Sequence, residues 1–168
     1  MDTTTLVHRG EKELLRGQLE GQRAHVLGVL EGLDDAALRR PVLPSGWSPL
    51  GLVQHLTLDV EHFWFEVVVA GLPLRTPAGA SAWAVGPEVP AAAVLAAYRR
   101  AIEEADAIIA ATPLDAPPRW WPTDLADGWR LHSLREVLLH VLTETACHAG
   151  HLDAARELLD GRQWLVLD

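Results

Sequence analysis

The sequence predicts an all-α protein: one domain over residues 1–168, folded as a four-helix bundle with long irregular inter-helix loops. Three observations predict it. Four long stretches repeat apolar residues at helical spacing. Capping residues and helix breakers bound those stretches. Strand-like alternation is weak throughout. A chain of 168 residues, 49% of them hydrophobic, can bury one core of its own. No internal repeat or low-complexity linker divides it.

The first helix is expected over about 10–32, where Leu14, Leu15, Leu19, Val26, Leu27 and Leu30 form the apolar stripe and Gly32 can end it. In "LDDAALRRPVLPSGWSP", Asp34 or Asp35 can cap one short turn before Pro41 and Pro44 break it. The second helix is expected over 49–70. Ser48 is its N-cap, Pro49 its first residue and Gly71 its terminator. After an irregular loop, Pro90 opens the third helix, about 90–111. The prolines of "TPLDAPPRWWPTDLADGWRLH" exclude regular structure. The fourth helix is expected over 133–160, because Ser133 and Glu136 form a capping-box signature and Gly161 suits the end. The tail "RQWLVLD" reads as a packed extension.

The bulk properties narrow the function. A formal net charge of −9 disfavours nucleic acid and anionic membranes as partners. Cys147 is the single cysteine, which rules out an intrachain disulfide and a cysteine-built zinc knot. The start "MDTTTLVHRGEKELL" lacks the apolar run of a signal peptide, and "FEVVVAGLPL" is too short for a membrane span. The expectation is a cytoplasmic protein acting on a small molecule. Bundles of this kind dimerise readily, so a homodimer is expected too, with the apolar tail as a contributor.

Two stretches carry chemistry. In "QHLTLDVEHFW", His55, Asp59 and His62 stand at i, i+4 and i+7, on one face of a regular helix. In "ETACHAGHLD", Glu144, His148 and His151 repeat that spacing, with His140 one turn earlier. At about 100° per residue, Glu144 and His148 lie about 40° apart, with His151 about 20° to the other side of Glu144. Facing helices of a bundle build metal sites in this way. Imidazole with carboxylate suits zinc, nickel, iron or cobalt, and three protein ligands leave a position open. The spacing also allows a plain reading, in which these side chains form a buried polar network. His8, His25 and His132 are read as ordinary surface or core histidines.

"SGWSPLGLVQHLTLDVEHFW" and "HVLTETACHAGHLDAARELLDG", in this order and at this separation, resemble the DinB/YfiT-like superfamily of metalloenzymes over nearly the whole chain. The resemblance implies a four-helix bundle holding a divalent metal through a helix-two histidine and a pair on helix four. The helix-two position falls on His55, and the pair falls on Glu144 and His148. A glutamate in the pair is similar to the His-Glu-His variant of mycothiol-dependent maleylpyruvate isomerases. His151 is left as a fourth ligand, a neighbour that orients a ligand, or an acid/base; Asp59 and His62 as residues that orient ligands or touch substrate.

That resemblance implies thiol chemistry, with zinc or nickel and a low-molecular-weight thiol as co-substrate, in an S-transferase or isomerase. A metal-dependent hydrolase and a non-catalytic stress-response or binding module are the competing expectations. The tryptophans Trp47, Trp83, Trp120, Trp121 and Trp129 either close the bundle ends or form an apolar mouth over the metal. Trp83, Trp121, Arg119 and Arg130 are the pocket candidates. Cys147 is expected to be a buried structural thiol.

Overall fold

The computed structural model describes residues 10–74, 81–122 and 128–164. All regular structure among them is helical. Helix α1 spans Glu11–Val29, the short α2 Asp35–Arg39, α3 Pro49–His55, α4 Ala91–Ala111 and α5 Leu134–Asp160. From Leu56 to Val69 the α3 axis continues as a π-helix. The four long rods pack α1 on α5 and the π segment on α4, with α5 also meeting the π segment. His8 and the last four residues of the tail lie outside the described residues.

The helix ends follow the local chemistry. Ser48 Oγ accepts from Gly51 N at 3.1 Å, and Pro49 opens α3. Ser133 Oγ accepts from Glu136 N at 3.3 Å, while Glu136 reaches back to His132 N at 2.7 Å. Gly161 adopts φ 77° and donates its N–H to Glu157 O, closing α5. Helix α1 stops short of Gly32 because Arg156, buried on α5, donates to the Val29 and Glu31 carbonyls at 2.6 and 2.8 Å. Those carbonyls have no partner within the helix.

The π geometry departs from the sequence expectation. The segment "LTLDVEHFWFEVVV" is buried nearly all round, so no solvent-facing stripe fixes its register. At the junction, the Thr57 hydroxyl donates to Val53 O at 2.8 Å, competing with the α-helical bond to that carbonyl. Each π turn holds more residues than an α turn, so side chains drift from the faces that α spacing gives them.

The core also contains ions. Arg23 of α1 grips Glu61 of the π segment at 2.7 and 2.6 Å and reaches Asp106 of α4 at 2.8 Å. Arg23 is 3% exposed and Glu61 1%. Burial, with Glu61 beside it, pushes the Tyr98 hydroxyl well above the ordinary tyrosine range. The tail folds back: Trp164 lies against Gly28 and stacks on His25, whose Nε2 is 2.8 Å from Asp153.

Candidate metal centre

Helix α3 and helix α5 bring three ligand-type side chains together. Donor atoms of His55, Glu144 and His148 all lie within 4.8 Å of one another. Glu144 Oε1 stands 3.1 Å from His148 Nε2 and 3.9 Å from His55 Nε2. His55 ends the α-helical part of its rod, before the wider turns begin. Glu144 and His148 are one turn apart on α5, as their spacing predicts.

At His55 the protonation pattern fits a cation. Asp59 Oδ2 lies 3.0 Å from His55 Nδ1 and accepts its proton. In the neutral ring Nε2 is then a bare lone pair. That nitrogen is buried and has no hydrogen-bond partner. Its nearest charged neighbour is a carboxylate oxygen, so two electron-rich atoms face each other at 3.9 Å. A positive ion between them turns this repulsion into attraction. Burial first, then the adjacent His55, holds His148 below the ordinary histidine value. This favours the neutral form that binds metals.

The other expected residues are placed as follows. His151 Nδ1 is 3.4 Å from His148 Nδ1, on the side away from Glu144, and its ring is exposed. It stands outside the three-residue cluster and against the back of one member. Asp59 is half-exposed behind His55. His62 does not join them: it is buried, with Nδ1 2.6 Å from Glu66 Oε1, because the π turns carry it off the His55 face. Glu144 is only half-buried, and Leu139 and Ala146 on the same helix are exposed. Cys147 is exposed, which corrects the expectation of a buried thiol: it falls on the outer side of α5.

The loop aromatics divide into two groups. Trp83 stacks on His55 with centroids 4.1 Å apart and meets His148 at 5.8 Å, while Trp47 sits 6.1 Å from His151. Trp121 belongs elsewhere, packed with Trp64 and Trp129 at 6.0 and 5.6 Å, and Arg130 lies 5.8 Å over its ring. That group reaches His140, 4.6 Å from Trp64. Arg119 is exposed and donates its backbone N–H to Val69 O at 3.3 Å. Neither Arg119 nor Arg130 takes part in the His55 cluster.

Two residues that position the site carry no obvious signal. Gln54 Nε2 donates to the carbonyls of Ser81, Ala82 and Ala84 at 3.1–3.2 Å, tying down the loop that bears Trp83. Gly51 lets that loop approach, since a Cβ there would lie 2.3 Å from Trp83 O. The one hint is their place in "SGWSPLGLVQH", a polar amide and a glycine on an otherwise apolar helix start.

An all-helical bundle with a His-Glu-His cluster shared by two facing helices defines a DinB/YfiT-like protein. The mycothiol S-transferase family model matches residues 14–161, and the chain belongs to that family. No curated protein and no solved structure matches it.

Proposed function

We propose that this protein is a divalent-metal-dependent S-transferase that joins a low-molecular-weight thiol of the mycothiol type to an electrophilic small molecule. The observation that carries this reading is the convergence of His55 Nε2, Glu144 and His148 Nε2, with the His55 nitrogen buried and unpartnered. The family match supports the thiol, and the charge of −9 supports a small molecule over a nucleic acid.

His55, Glu144 and His148 would hold the ion, with zinc or nickel the best fit to two imidazoles and one carboxylate. When bound, it supplies Lewis acidity that lowers the pKa of a coordinated thiol. The remaining work falls to the chain. Asp59 keeps the His55 proton on Nδ1. Glu144 would neutralise part of the ion's charge, and its half-exposure leaves that side of the cluster open. Trp83 covers the His55 ring and keeps water from it. His151 lies against His148 and limits its rotation.

Metal content by mass spectrometry on tag-free protein, beside His148→Ala, tests the centre. About one ion per chain, lost in the variant, is expected. Conjugation of mycothiol to a chromogenic electrophile, followed with and without chelator, tests the activity. Turnover that needs no thiol would replace this reading with a hydrolase.

A further inference from the structure

The second aromatic group stands next to the open side of the His55 cluster. His140 and Glu144 are four residues apart on α5, about 6 Å along its axis and on one face. Glu144 is close enough for its charge to act on His140. Trp64 lies 4.6 Å from His140 and Trp129 5.4 Å, and Trp121 completes the group at 6.0 and 5.6 Å from those two indoles. The ring planes cross at 48–89°, so no ring lies flat over another. Trp129 touches three rings and still keeps 43% of its surface exposed. Tryptophan is highly buried on average, so packing alone does not account for this one.

The chemistry of this recess defines its ligand. Indole faces are electron-rich and attract a flat ring that is poor in electrons. One edge of the recess is positive. Arg130, itself exposed, holds its guanidinium 5.8 Å over Trp121 and pairs with no carboxylate among the described residues. In a chain of net charge −9 most of the surface repels an anion, and Arg130 is a local exception. Burial holds His140 below the ordinary histidine value, so at neutral pH it adds no second positive charge.

We infer that the recess of Trp64, Trp121, Trp129 and His140 seats the electrophile, and that it takes a flat, electron-poor conjugated ring with an anionic substituent held by Arg130. The inference rests on the transferase reading for that ring being a substrate; its binding to the recess stands apart from that reading. For an activated aryl chloride the transfer balances without an oxidant. The thiol sulfur bonds to the ring carbon, chloride leaves with its electron pair, and the thiol proton goes to solvent.

The test is an NMR titration of the Trp121 and Trp129 indole N–H signals, assigned through Trp121→Phe and Trp129→Phe, in a Cys147→Ser background. The probe is 3,5-dinitrobenzoate, which has no leaving group. Its controls are the uncharged 1,3-dinitrobenzene and the saturated cyclohexanecarboxylate. Saturable shifts of both signals with 3,5-dinitrobenzoate are expected, with binding at least fivefold tighter than that of cyclohexanecarboxylate. Trp129→Leu should weaken binding of both nitro compounds at least fivefold. Arg130→Gln should weaken 3,5-dinitrobenzoate at least threefold and leave 1,3-dinitrobenzene unchanged. No saturable shift, or equal binding of the saturated acid, overturns the inference. Transfer itself is followed with mycothiol and 4-chloro-3,5-dinitrobenzoate, and Trp129→Leu should raise the KM of the chloride at least fivefold while the KM of mycothiol stays put. Ring binding without any transfer upholds the recess and removes the transferase reading. Transfer whose chloride KM is unmoved by Trp129→Leu upholds that reading and removes the recess as the seat.

Discussion

The Asp59 carboxylate lies 3.0 Å from Nδ1 of His55, and the opposite nitrogen of that ring is the one that faces Glu144. One hydrogen bond thus sets both the tautomer and the direction of the candidate ligand atom. Removing such a partner commonly costs about 10–100-fold in metal affinity. Asp59→Ala is expected to weaken zinc binding by a factor in that range, read by competition with a chromophoric chelator. The fold should be unchanged, because Asp59 is half-exposed. Unaltered affinity would mean that His55 is oriented by packing under Trp83 alone.

Gly51→Ala should dislodge the loop over the site. The new methyl would lie 2.3 Å from the Trp83 carbonyl oxygen, a backbone atom that cannot swing aside. Crowding of this kind costs about 1–3 kcal/mol. A lower thermal midpoint is expected, together with stronger acrylamide quenching of tryptophan fluorescence as Trp83 leaves His55.

The Arg23–Glu61 pair should be costly to break and cheaper to replace. Both side chains are nearly sealed from water and joined by two hydrogen bonds. Glu61→Ala strands a buried guanidinium with only Asp106 beside it, and losses of about 3–5 kcal/mol follow such changes. Arg23→Met combined with Glu61→Leu should lose less than Glu61→Ala, as measured by urea denaturation. A double variant as unstable as the single one would show that the pair contributes more than mutual compensation.

The metal-free protein should lose stability in mild acid. Burial, set against the charge of Glu144, holds His140 below the ordinary histidine value of 6.5, and burial with His55 does the same for His148. As pH falls through 6.5, the unfolded chain takes up protons at these residues before the folded chain does. Stability therefore falls with falling pH in that window and is level above it. Urea midpoints measured from pH 8 to pH 5 should show the drop, and His140→Gln should flatten it.

Much of the scaffold was legible because it follows local rules. Ser48, Ser133 and Gly161 mark ends that depend on neighbours a few residues away, and the Glu144–His148 spacing survives in α5 because that helix is regular. The same logic misplaced His62, since it assumed α turns where the buried, apolar stretch from Leu56 winds more widely. Arg23 gave no sign of its role, because its partners lie 38 and 83 residues away. The tryptophans could be counted but not sorted: Trp83 and Trp121 sit in similar Pro-rich loops, and only the folded chain sends one to His55 and the other to Trp64. Cys147 was read from the apolar neighbours around it, although that part of α5 turns it outward.

The position of Cys147 has a practical consequence. Each chain carries a single sulfhydryl, exposed and one residue from His148, so an electrophile offered in an assay meets one competing protein thiol of known address. Cys147→Ser should remove that background alkylation. Left in place, the same atom is a one-to-one attachment point for a fluorophore whose emission would report directly on what arrives next door.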